Sequence, residues 1–557
     1  SPCGVADREA CRRRDFSAFT RVLDFGRRSH QLVKMEFAMH IYGFILKVLS
    51  FMITPILAVR AFFVHQKPLP PIKSEYIKCS ASELARKIRK QEVTCERIVR
   101  AFIVRCREVN PVLNAISENR FCNAIDEAHT IDQMIDSGVK TEEELERDTP
   151  LLGVPFTVKE SCGLKGMRFS VGCTLRDGMK AMENGAAVEK LVKAGAIPIL
   201  VSNTPELCCS IETYNFITGR TNNPYNRFRT SGGSSGGEAA LLGSGASVIG
   251  IGSDMGGSIR VPAMFNGVYG HKPTPGIIDL TGHFPLDPSP DFQKVLCIGP
   301  MTRYAEDLTP MFKILAGDKA SSLNLDHKVP VNNLNVFYLD NCGYPLGNNQ
   351  PTREIKKKIH QAVNHFKSKS CKCEKADLPE WDDSTEISLA SFFGSILKSV
   401  NKTLNNMSIK FSLPHEAVKF ILGAPTFTLA TIHFTALLTF KAFIPKKRRE
   451  MYVVEAETLK KKLTNLLKDN GVLLCPTSAQ PAFYHGLFPL KQTLTCQAFL
   501  FNILHLPATN VPLGLNSQGL PIGLQVVAGP GQDKLCFQVA EELEAAFGGW
   551  VPPPSSY

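Results

Sequence analysis

The sequence predicts an α/β protein, a β-sheet with helices packed against it. Two observations carry this. Short β-rich runs, Val154-Pro155-Phe156-Thr157-Val158, Ile197-Pro198-Ile199-Leu200-Val201 and Val248-Ile249-Gly250-Ile251-Gly252, are separated by glycine-rich turns and helical stretches. That alternation is what sheet-and-helix folds produce. The same texture returns near the C-terminus, in Gly471-Val472-Leu473-Leu474-Cys475-Pro476 and Gly523-Leu524-Gln525-Val526-Val527-Ala528.

Composition agrees and excludes other classes. Of 557 residues, 44% are hydrophobic and 21% charged, near globular averages. A disordered, collagen-like or low-complexity chain is excluded. At roughly 100–200 residues per domain, the length allows two to four domains or one large enzyme domain with attachments. Lys and Arg number 64 against 52 Asp and Glu, a net charge of +12. The excess is mild, and no basic stripe stands beside a nucleic-acid motif, so no nucleic-acid partner is expected. An anionic membrane surface suits it better. The 17 cysteines are an odd, irregularly spaced set, which reads as buried thiols rather than a disulfide framework. Cys371-Lys372-Cys373 is C-x-C with no matching His/Cys cluster, so no metal site is expected.

Taken in order, residues 1–34 are Arg-rich and lack apolar periodicity, and Met35 stands just before a long apolar run. This segment reads as a poorly structured, non-native or upstream extension. Asp7, Glu9, Asp15 and Asp24 argue against a transit peptide. Residues 35–66 read as a membrane anchor helix. The run Phe37 to Val64 exceeds the about 20 apolar residues that a span needs, with Lys47 inside it and able to snorkel. An in-plane helix and a cleaved signal are the alternatives. Residues 67–74, with Lys67-Pro68-Leu69-Pro70-Pro71, read as a stiff linker. A large folded domain is expected over 75–557. Ser80-Ala81-Ser82-Glu83 marks a helix start, with amphipathic pattern to about residue 108 and again over 120–137.

A second apolar stretch runs from Val418 to Ile444, followed by Pro445 and Lys446-Lys447-Arg448-Arg449. Pro425 predicts two helices rather than one. A buried hairpin, a surface-embedding pair with a basic collar, or a span are the readings open for it. The surface-embedding pair is the membrane-cap-like insertion near 418–449.

The chemistry sits in two clusters, Thr230-Ser231-Gly232-Gly233-Ser234-Ser235-Gly236-Gly237-Glu238-Ala239 and Gly252-Ser253-Asp254-Met255-Gly256-Gly257-Ser258-Ile259-Arg260. Glycines let several backbone N–H groups converge on a phosphate or an oxyanion. Neither the phosphate-loop nor the dinucleotide fingerprint is present, and Ser258, followed by Ile259-Arg260, is not in a G-x-S-x-G string. A serine at the end of a Gly-Gly turn after a β-rich run suits Ser258 as nucleophile. It needs a base, and a lysine serves once burial and its neighbours make it neutral. Lys159, at the end of a β-rich run, is an odd place for a charge.

Together, Gly153-Val154-Pro155-Phe156-Thr157-Val158-Lys159-Glu160, the two clusters and Gly270-His271-Lys272-Pro273-Thr274 resemble the amidase signature family. The resemblance covers about 75–553, including Leu506-Pro507-Ala508-Thr509 and Gly519-Leu520-Pro521-Ile522-Gly523-Leu524-Gln525. Within the family the chain is most similar to the fatty-acid amide hydrolases. The resemblance implies the amidase-signature fold: a large, mixed, mostly parallel, twisted β-sheet covered by helices on both faces, here with an N-terminal membrane-associated helix. It also implies a Ser–Ser–Lys triad, with Lys159 the base, Ser234 the bridging serine after a cis Gly233–Ser234 peptide, and Ser258 the nucleophile. The amides of Met255, Gly256, Gly257 and Ser258 are the implied oxyanion donors. Ser235, Asp254 and Arg260 hold the turns, Cys208 lines the substrate channel, and His271 is structural.

The expected activity is a membrane-bound serine hydrolase that cleaves fatty-acid amides to fatty acid and amine or ammonia, with no cofactor and no metal. The alternatives are a small-amide or glutamine amidase, and an inactive membrane-tethered receptor. The expected partners are a fatty-acid amide substrate and a lipid membrane, with a homo-oligomer allowed. A membrane location follows, with the endoplasmic reticulum and lipid droplets as candidates. Asn401 and Asn406 begin glycosylation sequons, relevant where the domain faces a lumen.

Overall fold

The computed structural model describes residues 45–64, 68–343, 350–392, 412–439, 444–468 and 470–555. The expectations for 1–34, for the first part of the anchor and for both sequons lie outside the described residues.

One 11-stranded sheet organises the chain. Its strands are β1 (Ile116–Asn119), β2 (Pro155–Lys159), β3 (Ile197–Ser202), β6 (Ile249–Asp254), β7 (Tyr269–Lys272), β8 (Cys297–Thr302), β9 (Asn335–Tyr338), β10 (Lys372–Lys375), β11 (Gly471–Cys475), β12 (Ala508–Leu515) and β13 (Pro521–Ala528). Two short strands, β4 (Tyr214–Asn215) and β5 (Gly219–Arg220), pair separately. The spatial order is β1-β3-β2-β6-β8-β7-β12-β13-β11-β9-β10. The sheet is mixed, and its parallel pairings form two blocks, β3-β2-β6 and β11-β9-β10. Antiparallel pairings join the blocks through the middle.

Helices cover both faces, and strand periodicity explains how. Side chains alternate across a strand, so Val472 and Leu474 enter one core while Leu473 and Cys475 enter the other. The first core packs helices Cys95–Leu113, Leu308–Ala316, Arg353–Ser368 and Asp533–Phe547. The second packs Ser384–Ser391, Lys446–Leu466 and Cys496–Ile503.

The first helical stretch is two helices. Ser80 caps Ala81–Arg89, its side chain accepting from the Glu83 amide. Gln91 then turns left-handed, and Thr94 caps Cys95–Leu113. The Pro-rich stretch is pinned to the body. Leu69 is buried and pairs with Ser555, and the Arg105 guanidinium donates to the Pro70 carbonyl at 2.7 Å.

Helix Ile45–Phe63 has 19 residues. At 1.5 Å per residue this is about 29 Å, close to the hydrocarbon thickness of a bilayer. It is long and apolar enough to cross a membrane by length and composition. Ile53 and Leu57, one turn apart, pack on the cluster that includes Ala430, Phe483 and Leu487. Phe51, Met52, Ile56, Val59, Phe62 and Phe63 are exposed. The second apolar stretch forms two helices, Leu413–Ile421 and Leu429–Thr439, broken around Pro425. Val418, Ile421 and Leu422 are exposed, and Lys446–Arg449 open the next helix.

Candidate active site

The parallel block β3-β2-β6 builds the site. Parallel strands end together, and open α/β sheets bind ligands outside those carboxyl ends. Lys159 is the last residue of β2, in register with Ser202, the last of β3. Asp254 is the last residue of β6. Three chain segments therefore leave the sheet side by side: Lys159 itself, Asn203 to Cys209 after β3, and Met255 to Ile259 after β6.

Lys159 is fully buried. Its Nζ donates to Ser234 Oγ at 2.7 Å, to Ser253 Oγ at 2.8 Å and to the Ser253 carbonyl at 3.3 Å. Ser234 is also buried and follows a cis peptide from Gly233. Helix Gly236–Gly243 begins two residues later with Ser235 as its cap. It packs closely enough that a side chain at Gly237 would strike the Asn203 backbone.

Ser258 lies on the opposite lip, half-buried like Met255 and Gly256. The two lips are knitted together: the Ser235 amide donates to the Ser258 carbonyl at 3.1 Å, and Ser235 Oγ donates to the Ser253 carbonyl at 3.4 Å. Among the described residues, no hydrogen bond joins the Ser234 and Ser258 hydroxyls. Hydroxyl relays often close only around substrate.

The turn carrying Ser258 is held by Asp254 and Arg260, both fully buried. Arg260 Nε and Nη2 grip the two Asp254 carboxylate oxygens, each at 3.1 Å. Burial opposes the Asp254 charge, but Arg260 and the amides of Gly257 and Ile259 outweigh it and hold the carboxyl well below its usual range. The Gly257 amide donates to Asp254 Oδ1 at 2.7 Å. This departs from the expected set of four oxyanion donors, because a carboxylate beneath the turn takes this one. Among the described residues, the amides of Met255, Gly256 and Ser258 find no protein acceptor. Gly257 has φ +98°, and a Cβ there would lie 2.8 Å from the Ala498 Cβ, so the turn needs glycine.

Cys208 is half-buried on the turn after β3. Its Sγ lies 3.4 Å from Thr204 Oγ1, which donates to the Ser234 carbonyl at 3.1 Å. His271 is buried between Thr509 and Asp533, at 2.8 and 3.0 Å, and among the described residues it has no hydrogen bond to Lys159, Ser234 or Ser258.

Three further contributors were not singled out as site residues in the sequence. Ser253 shares Lys159 with Ser234. Asn502 Oδ1 accepts from Arg260 at 2.6 Å, and its amide donates to Asp254. Gln525 Oε1 accepts from Arg260 at 3.0 Å. Gln525 stands in the Gly519–Gln525 string, whereas Asn502 sits in an apolar helix with no local signal.

The family described as Amidase matches residues 97–537. Fatty-acid amide hydrolase 2-A of Danio rerio is 39% identical, over 87% of this chain and 92% of that protein. Fatty-acid amide hydrolase 2 of Homo sapiens is 38% identical, over 93% of this chain and 99% of that protein. A solved structure titled "Fatty acid amide hydrolase" superposes with a TM-score of 0.69 at 22% identity, covering 86% of this chain and 87% of that one, which supports the fold.

Proposed function

The chain belongs to the amidase family and is an enzyme acting on amide bonds, and from that premise we propose that it is a membrane-bound serine hydrolase that cleaves fatty-acid amides through Lys159, Ser234 and Ser258. One observation carries the mechanism: a buried lysine within 2.7 Å of a buried serine hydroxyl, on a lip hydrogen-bonded to the lip that holds a half-buried second serine. The names of the fatty-acid amide hydrolase relatives support the substrate class.

In this reading Lys159 Nζ takes the Ser234 proton while Ser234 takes the Ser258 proton. Ser258 Oγ bonds to the amide carbon. The electron pair displaced from the C=O collects on oxygen, facing the amides of Met255, Gly256 and Ser258. The relay reverses, the proton reaches the leaving nitrogen, and as the oxyanion pair re-forms the C=O the C–N bond breaks, its electrons leaving with nitrogen as amine or ammonia. A water repeats the sequence on the ester and frees the acid. Each oxyanion donor contributes about 10²–10³ in rate. Ser235, Asp254, Arg260, Asn502 and Gln525 keep those amides aimed at one point, and Cys208 borders the acyl chain.

The exposed faces of Ile45–Phe63 and of Val418 to Leu422 support a bilayer contact, the anchor and the membrane-cap-like insertion respectively. An apolar substrate then enters from the membrane in which it dissolves. The test is hydrolysis by detergent-solubilised protein of a long-chain fatty-acid primary amide against a small primary amide and glutamine. The long-chain amide is expected to turn over fastest. Turnover of the small amides alone would keep the amidase and move the substrate.

A further inference from the structure

The turn after β3 is tied to the apolar insertion by one buried carboxylate. Glu206 is 1% exposed. Its Oε2 accepts three hydrogen bonds: from the Thr428 amide at 2.8 Å, the Thr428 hydroxyl at 3.0 Å and the Thr431 hydroxyl at 2.7 Å. Thr428 immediately precedes helix Leu429–Thr439. Glu206 Oε1 is buried and has no hydrogen-bond partner among the described residues. Burial pushes the carboxyl up, and its threonine partners pull the other way. A buried, half-satisfied carboxylate is costly, so its retention calls for a reason.

The neighbours supply one. Leu207 and Cys208, next in the chain, both have left-handed backbone, at φ 53° and 60°. Neither is a glycine, and such residues persist where their surroundings hold them. Leu207 packs with Cys173, Phe427 and Ile432, and Cys209, Phe284 and Leu413 border that cluster. Two residues before Glu206, Thr204 contacts both Cys208 and the Ser234 carbonyl. An apolar cluster built partly from the insertion is therefore joined to the relay serine through Cys208 and Thr204, and Glu206 is the polar fastening between its two halves.

We propose that Glu206 is a positioning residue for the acyl chain: by fastening helix Leu429–Thr439 to the Leu207–Cys208 turn, it sets the apolar wall against which a long substrate chain lies. The inference rests on the fatty-acyl reading above. It predicts that loosening the fastening harms long chains selectively, because a short acyl group reaches Ser258 without touching the wall.

The experiment measures labelling rates of Ser258 by an ethyl and a dodecyl fluorophosphonate, using the detergent-solubilised full chain. The readout is the ratio of long-chain to short-chain rate. Glu206→Leu is expected to lower that ratio about tenfold while the ethyl probe stays within about threefold of wild type, since misplacing a bound group by a fraction of an ångström costs about this much. Glu206→Gln keeps an acceptor for the Thr428 amide and should restore most of the ratio. Thr431→Val removes one hydrogen bond with little change of shape. It should give an intermediate fall, and it decides the matter where Glu206→Leu does not fold. An unchanged ratio in these variants, or an equal fall with both probes, overturns the inference while a high wild-type ratio leaves the fatty-acyl reading standing. A wild-type ratio near one overturns both.

Discussion

Lys159 Nζ stands 2.7 Å from Ser234 Oγ although the two residues are 75 positions apart. The parallel block makes this meeting, by ending β2 beside the loop that opens helix Gly236–Gly243. A lysine buried there, bonded among the described residues to hydroxyl and carbonyl oxygens, is well placed to pass protons. Lys159→Ala is expected to lower kcat by about 10²–10⁴-fold, the usual share of a general base, with KM changed far less. Steady-state kinetics on a fatty-acid amide read the split. A Ser234→Ala variant should fall in the same range, because both remove one relay.

The Asp254–Arg260 pair is buried and bidentate. Removing one member strands the other, which typically costs about 3–5 kcal/mol. Asp254→Leu is therefore expected to destabilise the protein by that order and to abolish Ser258 labelling, and denaturant unfolding measures the first effect. The carboxyl is depressed in the folded state, so its contribution is present above the ordinary carboxylate range and is lost only as pH falls through the depressed value. The pair should thus survive at pH 4.

Glu238 behaves in the opposite sense. It is fully buried, with Oε2 accepting from Thr157 Oγ1 at 2.6 Å. Burial raises its carboxyl from 4.5 to about 7. The folded state then holds a proton that the unfolded state releases, so stability falls as pH rises from about 4.5 to about 7. Glu238→Gln should remove that slope. Melting temperatures of wild type and variant across pH 5 to 8 (an interval of about three units) should converge at the acid end and separate at the other.

Gly257 tests the turn itself. Alanine there must adopt φ +98° and press on the Ala498 Cβ and Val261 Cγ2, 2.8 and 3.0 Å away. The strain is on the order of 1–3 kcal/mol. Moving the neighbouring oxyanion amides should slow Ser258 labelling by about 10²-fold. Melting and fluorophosphonate labelling, measured together, separate the two effects.

For the membrane, polar replacement of exposed Phe51, Ile56, Phe62 and Phe63 should shift the full chain from vesicle-bound to free. Each buried aromatic or aliphatic side chain contributes roughly 1.5–3 kcal/mol. Co-sedimentation with phospholipid vesicles measures the shift, and amidase activity in detergent should persist.

How much was legible beforehand follows from chain distance. Ser234, Ser235, Asp254, Ser258 and Arg260 lie in two short strings whose glycines mark tight turns, so their grouping could be read locally. The helix break near Pro425 was legible from the proline itself, whereas the cis Gly233–Ser234 peptide was expected only from the family resemblance. Asn502, Gln525 and Glu206 were not, because their partners lie 242, 265 and 222 positions away. Glu206 resembles any polar loop residue until the sheet brings it to Thr428. The capture of the Gly257 amide by Asp254 is also invisible in sequence, since it depends on the path of three residues after β6.

The proposed mechanism turns on an acyl group carried on Ser258. The most direct measurement mixes the protein with a long-chain fatty-acid primary amide, quenches in acid within the first turnover, and weighs the intact chain and its Ser258 peptide. The account predicts a mass increase equal to the acyl group on that peptide, absent in Ser258→Ala and strongly reduced in Lys159→Ala. Hydrolysis that continues in Ser258→Ala with no acylated peptide would contradict it.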